Sequence, residues 1–144
     1  MKPSTLFYLG AVVLFLQATG HTLGGVIFYR PHTPAEAGVI AAMQSSQVVL
    51  MGVTRSLWDF YYGWGLAVGA LAYVLAGVAW ATGRLSRQPD AKIGPLAALI
   101  VAACLAQILL CVRYFFALPA ALMLLAAILC SAAWLRYRTT AKTA

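Results

Sequence analysis

Four long apolar stretches, separated by shorter polar segments, dominate the pattern along this chain. Because about 20 mostly apolar residues let a helix cross the hydrocarbon core of a bilayer, each stretch predicts one membrane-spanning helix. The stretches cover residues 6–28, 57–81, 96–115 and 118–135. The last two are joined by a short turn that ends at Pro119, so we expect an antiparallel hairpin there. The pattern predicts an all-α, polytopic membrane four-helix bundle that forms a single transmembrane domain over residues 1–144.

Between the first and second spans, the segment 34–54 predicts an additional helix on the outer face. Residues 33–36 read Thr-Pro-Ala-Glu, which is typical of a helix start with a capping hydroxyl, an early proline and an acid that bonds back. A helix from there through Thr82 would hold about 49 residues and reach roughly 74 Å, so we expect a bend at 52–56. The polar run 44–47 argues against a fifth span. Whether this helix lies at the interface or dips back into the bundle stays open.

Composition excludes several classes of protein. Hydrophobic residues make up 63% of the chain and charged residues 9%, whereas soluble domains average about 45–50% and about 25%. This balance excludes a soluble domain, a disordered tail and a nucleic-acid binder of the usual kind. Membrane lipids are therefore the expected partners, and nucleic acid is not.

The distribution of cations predicts the orientation of the spans. The chain has ten Lys and Arg residues but three Asp and Glu residues. Cations concentrate in the cytoplasmic loops of helical membrane proteins. With the N-terminus inside, the loop 83–95 and both chain ends hold most of them. We expect a multi-pass protein of the bacterial inner (plasma) membrane with both termini in the cytoplasm, although cleavage of residues 1–20 as a signal peptide is an alternative. The predicted cytoplasmic set is Lys2, Arg84, Arg87, Lys92, Arg136, Arg138 and Lys142, and the outer set is Arg30, Arg55 and Arg113.

Most of the cytoplasmic set also suggests an attachment to lipid headgroups. Arg84, Arg87 and Lys92, with the tail from Arg136 to Lys142, are expected to anchor anionic headgroups. The three cysteines, in contrast, form no Cys-x-x-Cys pair, which argues against a disulfide oxidoreductase. Cys104, Cys111 and Cys130 are better explained as small buried apolar residues. No metal site is predicted, and the cofactor, if there is one, stays unknown.

Polar side chains in the outer halves of the spans are the candidate functional residues. Ionisable groups at membrane depth are costly and by default mark function. His21 and Asp59 are the candidate catalytic base and acid, and Gln17 lies four residues before His21, on the same helix face. The candidate ligand-binding residues are Gln17, Arg55, Trp58, Tyr62, Gln107, Arg113 and Tyr114.

Each of these residues also has a purely structural interpretation. Arg55 and Asp59 could form only a neutralising pair, and His21 could hydrogen-bond a backbone carbonyl or Asp59 inside the bundle. Arg113 could extend to the headgroups, while the two glutamines could pair between helices. Only the grouping of these residues on one side of the membrane favours a site.

Aromatic residues and glycines occur at the same level of the predicted bundle. Five aromatic residues between positions 58 and 64 suit an interfacial belt, but some must point inward, where rings favour a flat or cationic ligand. Gly65-x-x-x-Gly69 predicts a packing face for a helix of this chain or of a second copy. Room for a ligand tail is the alternative that the sequence leaves open.

Two segments carry a family resemblance. At Gly20-His21-Thr22-Leu23-Gly24-Gly25 and at Arg55-Ser56-Leu57-Trp58-Asp59-Phe60-Tyr61-Tyr62-Gly63 the chain resembles small four-span bacterial membrane proteins of unassigned activity. The resemblance implies the four-span architecture and no reaction. The chain departs from small multidrug exporters, which carry a glutamate in the first span. It also lacks the Glu/Arg/His/Asn pattern of glutathione-dependent eicosanoid enzymes.

The sequence favours a binding or accessory role over catalysis. In this reading the bundle holds a lipid, quinone or isoprenoid-like molecule in a periplasm-side pocket, or docks on a larger membrane complex or a second copy. The alternative is a membrane-embedded isomerase or cyclase that uses Asp59 and His21 as acid and base. Haem ligation by His21 lacks a second intramembrane histidine, and a transporter role for Asp59 lacks a visible inverted repeat.

Overall fold

The regular secondary structure of the described residues is helical except for one short hairpin. The computed structural model describes residues 1–88 and 90–140, so Lys142 of the predicted cytoplasmic set lies outside the described residues. The first helix, α1, continues directly as a π-helix, and the hairpin precedes the longest helix. In chain order the elements are α1 (Pro3–Thr19), the π-helix (Gly20–Ile27), α2 (Pro34–Ser45), β1 (Gln47–Leu50), β2 (Val53–Ser56), α3 (Leu57–Leu85), α4 (Gly94–Tyr114) and α5 (Ala117–Thr140).

All four predicted membrane spans are confirmed as helices, which indicates a multi-pass membrane protein. The helical stretches that are long and apolar enough to cross a membrane are Pro3–Ile27, Leu57–Leu85, Gly94–Tyr114 and Ala117–Thr139. Only two residues separate α4 from α5, as expected for the predicted hairpin. Large apolar side chains such as Leu109 and Val112 are 72% and 75% exposed. Such exposure suits a protein whose outer surface meets hydrocarbon rather than water.

The chain forms two compact units. The first combines Met1–Ala18 with the described residues from Ala72 onward, and the second is Thr19–Leu71. In the first unit, α1, α4, α5 and the end of α3 share one buried core, which is the predicted four-helix bundle. The helices approach closely at Gly10, where a Cβ would lie 2.7 Å from the Sγ of Cys130. All three cysteines are free and buried, in agreement with the structural interpretation.

The second unit contains α2, whose start follows the predicted pattern in part. The Oγ1 of Thr33 accepts a hydrogen bond from the backbone N–H of Glu36 at 3.2 Å, as an N-cap residue does. The Glu36 carboxylate does not return to the capping residue. It accepts instead from the backbone N–H of His32 at 2.6 Å and from the hydroxyl of Tyr29 at 3.3 Å. The predicted helix start is confirmed, and the Glu36 carboxylate also holds the loop before α2 through these two hydrogen bonds.

The helix predicted between the first two spans is confirmed over Pro34–Ser45, but its extension to residue 54 is wrong, and its position on the outer face stays a prediction. An antiparallel hairpin follows, in which Leu50 pairs with Val53 across a two-residue turn. Both turn residues have positive φ, 52° at Met51 and 80° at Gly52, as a type I′ turn requires. The β-branched residues in this segment favour strands, and the Met-Gly turn reverses the chain where a bend was expected.

The π-helix is the one element of the first span that the sequence pattern did not predict. Its wider turn is visible at its end, where the N–H of Phe28 bonds the carbonyl of Leu23, five residues back, at 2.8 Å. Three glycines, Gly20, Gly24 and Gly25, occur within these eight residues. Because π-helical turns are rare and frequently occur at functional sites, this segment is a natural place to look for one.

Candidate functional site

The histidine of the π-helix is held by the start of α3. The Nε2 of His21 donates a hydrogen bond to the backbone carbonyl of Gly65 at 3.0 Å. A Cβ at Gly65 would lie 2.9 Å from Val26, and a Cβ at Gly69 would overlap the hydroxyl of Thr22. The Gly65-x-x-x-Gly69 face is therefore a packing face for the π-helix of the same chain. This answers the question that the sequence left open between a helix, a second copy and a ligand tail.

Asp59 has a structural partner of its own at the start of α3. Its carboxylate accepts from the backbone N–H of Ser56 at 2.8 Å, while the Ser56 hydroxyl accepts from the N–H of Asp59 at 3.0 Å. This reciprocal pair is a capping box. Asp59 lies six residues before Gly65, about 9 Å along the axis of α3. The candidate acid and base therefore each have a hydrogen-bonding role, and their catalytic roles stay predictions.

Among the other candidate residues of the second unit, Trp58 and Tyr62 belong to a small aromatic group, and Arg55 bonds the backbone of its neighbour. The ring of Trp58 lies 5.5 Å from that of Tyr61 and 6.3 Å from that of Tyr62. The guanidinium of Arg55 donates to the backbone carbonyl of Thr54 at 2.8 Å. Stacked rings at the first turns of α3 suit the interfacial aromatic belt that the sequence offered as an alternative.

The candidate residues of the first unit bond mainly within their own helix. The amide of Gln107 lies 4.0 Å from the Sγ of Cys111, one turn further along α4. The guanidinium of Arg113 lies over the ring of Tyr114 at 5.4 Å, and Gln17 is half-buried on α1. Because the predicted set divides between the two units, its assembly into one pocket stays a prediction.

A groove lies between α1 and the end of α3, within the first unit. We call it the α1–α3 groove. Its basic end is a cavity of about 910 Å³ lined by Tyr8, Trp80, Ala81, Arg84, Leu85, Arg87 and Gln88. Its apolar end is a cavity of about 370 Å³ lined by Ala11, Val12, Phe15, Tyr73, Ala76, Gly77 and Trp80. Trp80 belongs to both ends, so the two cavities adjoin.

Aromatic packing builds the basic end. The ring of Tyr8 lies 4.5 Å from that of Trp80, and the Arg87 guanidinium lies over Tyr8 at 5.7 Å. Gly83 makes this possible, because a Cβ there would lie 2.8 Å from the Tyr8 ring. Because Gly83 has no side chain, the ring of Tyr8 can lie against α3, where it contacts the guanidinium of Arg87.

The apolar end is open along the helix surface. The rings of Phe15 and Tyr73 meet edge-on at 5.4 Å. Gly77 lines the groove between them and Trp80, and a Cβ at Gly77 would meet nothing within 4 Å. The space beside Gly77 is therefore not filled by a described side chain of this unit and is open to another molecule.

Sequence reasoning missed the α1–α3 groove because it assigned the pieces separately. The sequence predicts Arg84 and Arg87 as part of the loop and the headgroup anchor, and it predicts no role for Trp80. The signal was available as spacing: Tyr73, Trp80 and Arg84 recur at seven and four residues on α3, and so share one face. What the sequence does not give is which face of α1 meets them.

Neither a metal centre nor a known relative directs the interpretation. Within the described ranges 1–88 and 90–140, no group of three or more His, Cys, Asp or Glu side chains could hold a metal ion. Comparison with known protein families, with curated proteins and with solved structures gives no match. The geometry of the groove is therefore the basis for a functional assignment.

Proposed function

We propose that this chain is a small integral membrane protein that binds a lipid-like amphiphile in the α1–α3 groove. The observation that carries the proposal is the change of character along the groove, from two arginines at one end to apolar side chains and an open glycine at the other. A molecule with a polar head and a hydrocarbon tail matches both ends at once.

The length of the groove agrees with this type of ligand. Tyr73 and Arg84 are eleven residues apart on α3, which corresponds to about 16 Å along the helix axis. The hydrocarbon core of a bilayer is about 30 Å thick, so the groove is about as long as one leaflet is deep. A lipid already present in the membrane could enter it sideways without leaving its leaflet.

The distribution of charge supports an orientation for the groove. Arg84 and Arg87 belong to the cation-rich loop that the positive-inside rule assigns to the cytoplasm. We therefore propose a bacterial inner-membrane protein with both termini cytoplasmic, and a groove that is open to the cytoplasmic leaflet. A lipid, a quinone or an isoprenoid would each satisfy its apolar end.

A binding role accounts for the contacts better than acid and base catalysis does. The ring of His21 is engaged with Gly65, and the carboxylate of Asp59 caps α3, so each group has a role in the fold. The α1–α3 groove, in contrast, contains space that no side chain of this unit fills beside Gly77. Attachment to a larger membrane complex is the competing role that the test must separate from ligand binding.

Native mass spectrometry on protein purified in a mild detergent tests the proposal. The wild type is expected to retain a stoichiometric lipid-like molecule, and Gly77→Leu is expected to lose it because the new side chain fills the apolar end. Gly63→Leu is the matched control: it lies on the same helix, and its Cβ also meets nothing within 4 Å. It is expected to retain the ligand.

Two outcomes would contradict the proposal. Wild-type protein that carries no small molecule but keeps partner chains attached would make this an accessory subunit. Equal retention by the wild type and by Gly77→Leu would show that the molecule binds elsewhere.

A further inference from the structure

We infer that the basic end of the α1–α3 groove selects an anionic phospholipid by binding its phosphate between Arg84 and Arg87. This inference rests on the proposed function, since it names the class of amphiphile that the same groove takes. It differs from a general surface anchor, because it assigns one headgroup to two particular arginines and one acyl chain to the apolar end.

The two arginines converge because the chain turns at the end of α3. The backbone N–H of Arg87 bonds the carbonyl of Arg84 at 3.2 Å, which keeps the two residues within one turn. Both side chains are exposed, and both line the same cavity. Two guanidinium groups at one end of an apolar groove form a site of concentrated positive charge.

No carboxylate of the described chain neutralises this charge. The residues that line the basic end include neither Asp nor Glu. Among residues 1–88 and 90–140, the salt bridge found is that of His32 with Glu36, which belongs to the other unit. These exposed arginines are therefore available to an external anion. A membrane supplies one in the phosphate of an anionic lipid, whereas the phosphate of phosphatidylcholine is already neutralised by its choline cation.

The geometry of Arg87 also suits a phosphate better than a diffuse negative surface. The carbon of its guanidinium lies over the Tyr8 ring, 5.7 Å from the centroid, and that ring is held by Trp80 and by the space at Gly83. The guanidinium N–H groups that point away from the ring can donate to two oxygens of a phosphate in a bidentate manner. The aromatic support reduces the ordering that binding would otherwise require.

The apolar end distinguishes a phospholipid from free phosphate. The groove continues from Trp80 to Phe15 and Tyr73 without a charged side chain. A soluble phosphate ester would leave that part unoccupied, whereas an acyl chain fills it. We therefore assign the site to a phospholipid of the leaflet on the Arg84 side.

Fluorescence quenching by brominated lipids tests the inference, because Trp80 lines both ends of the groove. The reporter is a full-length variant in which Trp80 is the one tryptophan, made by Trp58→Phe, Trp64→Phe and Trp134→Phe. It is placed in phosphatidylcholine vesicles that contain increasing brominated phosphatidylglycerol, or brominated phosphatidylcholine for comparison. Each arginine near a membrane surface gives roughly a fivefold preference for an anionic lipid, so we expect a preference of roughly 25-fold.

Substitution of the arginines should reduce this preference stepwise. Arg84→Gln and Arg87→Gln are each expected to lower the ratio about fivefold, and the double variant should show almost none. Arg30→Gln is the control, since Arg30 is also an exposed arginine but belongs to the other unit and does not line the groove. It is expected to keep the full ratio, and soluble glycerol 3-phosphate is expected not to compete.

The outcomes separate the inference from the proposed function. An unchanged ratio in the double variant would overturn the inference, while reduced quenching by both lipids in a Gly77→Leu background would still support a lipid in the groove. Competition by millimolar glycerol 3-phosphate would also overturn it, in favour of a soluble phosphate ester. If Gly77→Leu alters the quenching by neither lipid, the proposed function itself fails.

Discussion

The close contact between the π-helix and α3 leads to a matched pair of glycine substitutions with opposite expected effects. At Gly69, a Cβ would overlap the hydroxyl of Thr22 and lie 3.6 Å from the His21 ring. At Gly63, on the same helix, a Cβ would meet nothing within 4 Å. We expect Gly69→Ala to destabilise the protein and Gly63→Ala to leave it unchanged or more stable.

The magnitudes follow from two competing terms. Replacing glycine by alanine within a helix gains about 1 kcal/mol at either position. Inserting a methyl group into a filled contact costs about 1–3 kcal/mol, and this cost applies only at Gly69. The free energies of unfolding of the two variants should therefore differ by about 1–3 kcal/mol, with Gly63→Ala the more stable.

A double-mutant cycle identifies Thr22 as the cause. The Thr22 hydroxyl is buried and has no hydrogen-bond partner among the described residues, so Thr22→Ala should be neutral or stabilising. In the Thr22→Ala background, Gly69→Ala should lose most of its cost. Reversible unfolding in mixed micelles of a mild detergent and dodecyl sulfate, followed by tryptophan fluorescence, measures each free energy. Equal effects of the two alanines, or strict additivity in the cycle, would refute the reasoning.

Three further predictions concern the loops. The backbone hydrogen bond from His32 holds the pKa of the half-exposed Glu36 carboxyl below its ordinary value of 4.5, so this bond is fully present above pH 4.5 and is lost as the pH falls through the lowered pKa. The protection factor of the His32 amide, which compares its exchange rate with the intrinsic rate at the same pH, should then fall, and a protection factor that stays constant in acid would contradict this. Met51→Asn should stabilise the hairpin by about 1 kcal/mol, because asparagine tolerates positive φ better than methionine. Amide exchange in the hairpin should therefore become slower, and faster exchange would exclude this explanation. Tyr137→Phe removes the hydrogen bond from the Tyr137 hydroxyl to the carbonyl of Ala91 at 2.6 Å, which should cost about 1 kcal/mol of stability. Tryptic cleavage of the loop before α4 should become faster. An unchanged cleavage rate would show that the bond does not order the loop.

The membrane architecture was predictable from the sequence because hydrophobic length alone determines it. Each span begins and ends within a few residues of its predicted bounds, except that α3 extends to Leu85 and α5 to Thr140. Those extensions carry Arg84 and Arg138, which are cations suited to helix ends. The start of α2 was also predictable, since its capping residue and proline act within one turn.

The hairpin was mistaken for helix because its signals are short and ambiguous. Residues 47–56 contain β-branched residues without a clear alternation of apolar and polar positions. A two-residue turn with methionine at a positive φ lacks the Asn-Gly or Asp-Gly pair that predicts such a turn. The decision between strand and helix here depends on pairing between strands rather than on local propensity.

The candidate site was harder to predict because it depends on which helix faces meet. Sequence reasoning selected polar residues by their cost in a membrane, and the structure gives His21 and Asp59 hydrogen bonds to backbone groups. The α1–α3 groove arises instead from missing side chains, at Gly77 and Gly83, next to rings for which the sequence predicts no role. The space in the groove cannot be predicted from a single sequence, because it depends on how α1 and α3 pack.

Photo-crosslinking in vesicles tests most directly whether a lipid occupies the groove. A phospholipid with a diazirine on its acyl chain is added to the reconstituted protein, and the labelled residues are mapped by mass spectrometry. The account predicts labelling concentrated at Val12, Phe15 and Gly77, and its loss in Gly77→Leu. Labelling spread evenly over lipid-exposed positions such as Leu109 and Val112 would contradict it.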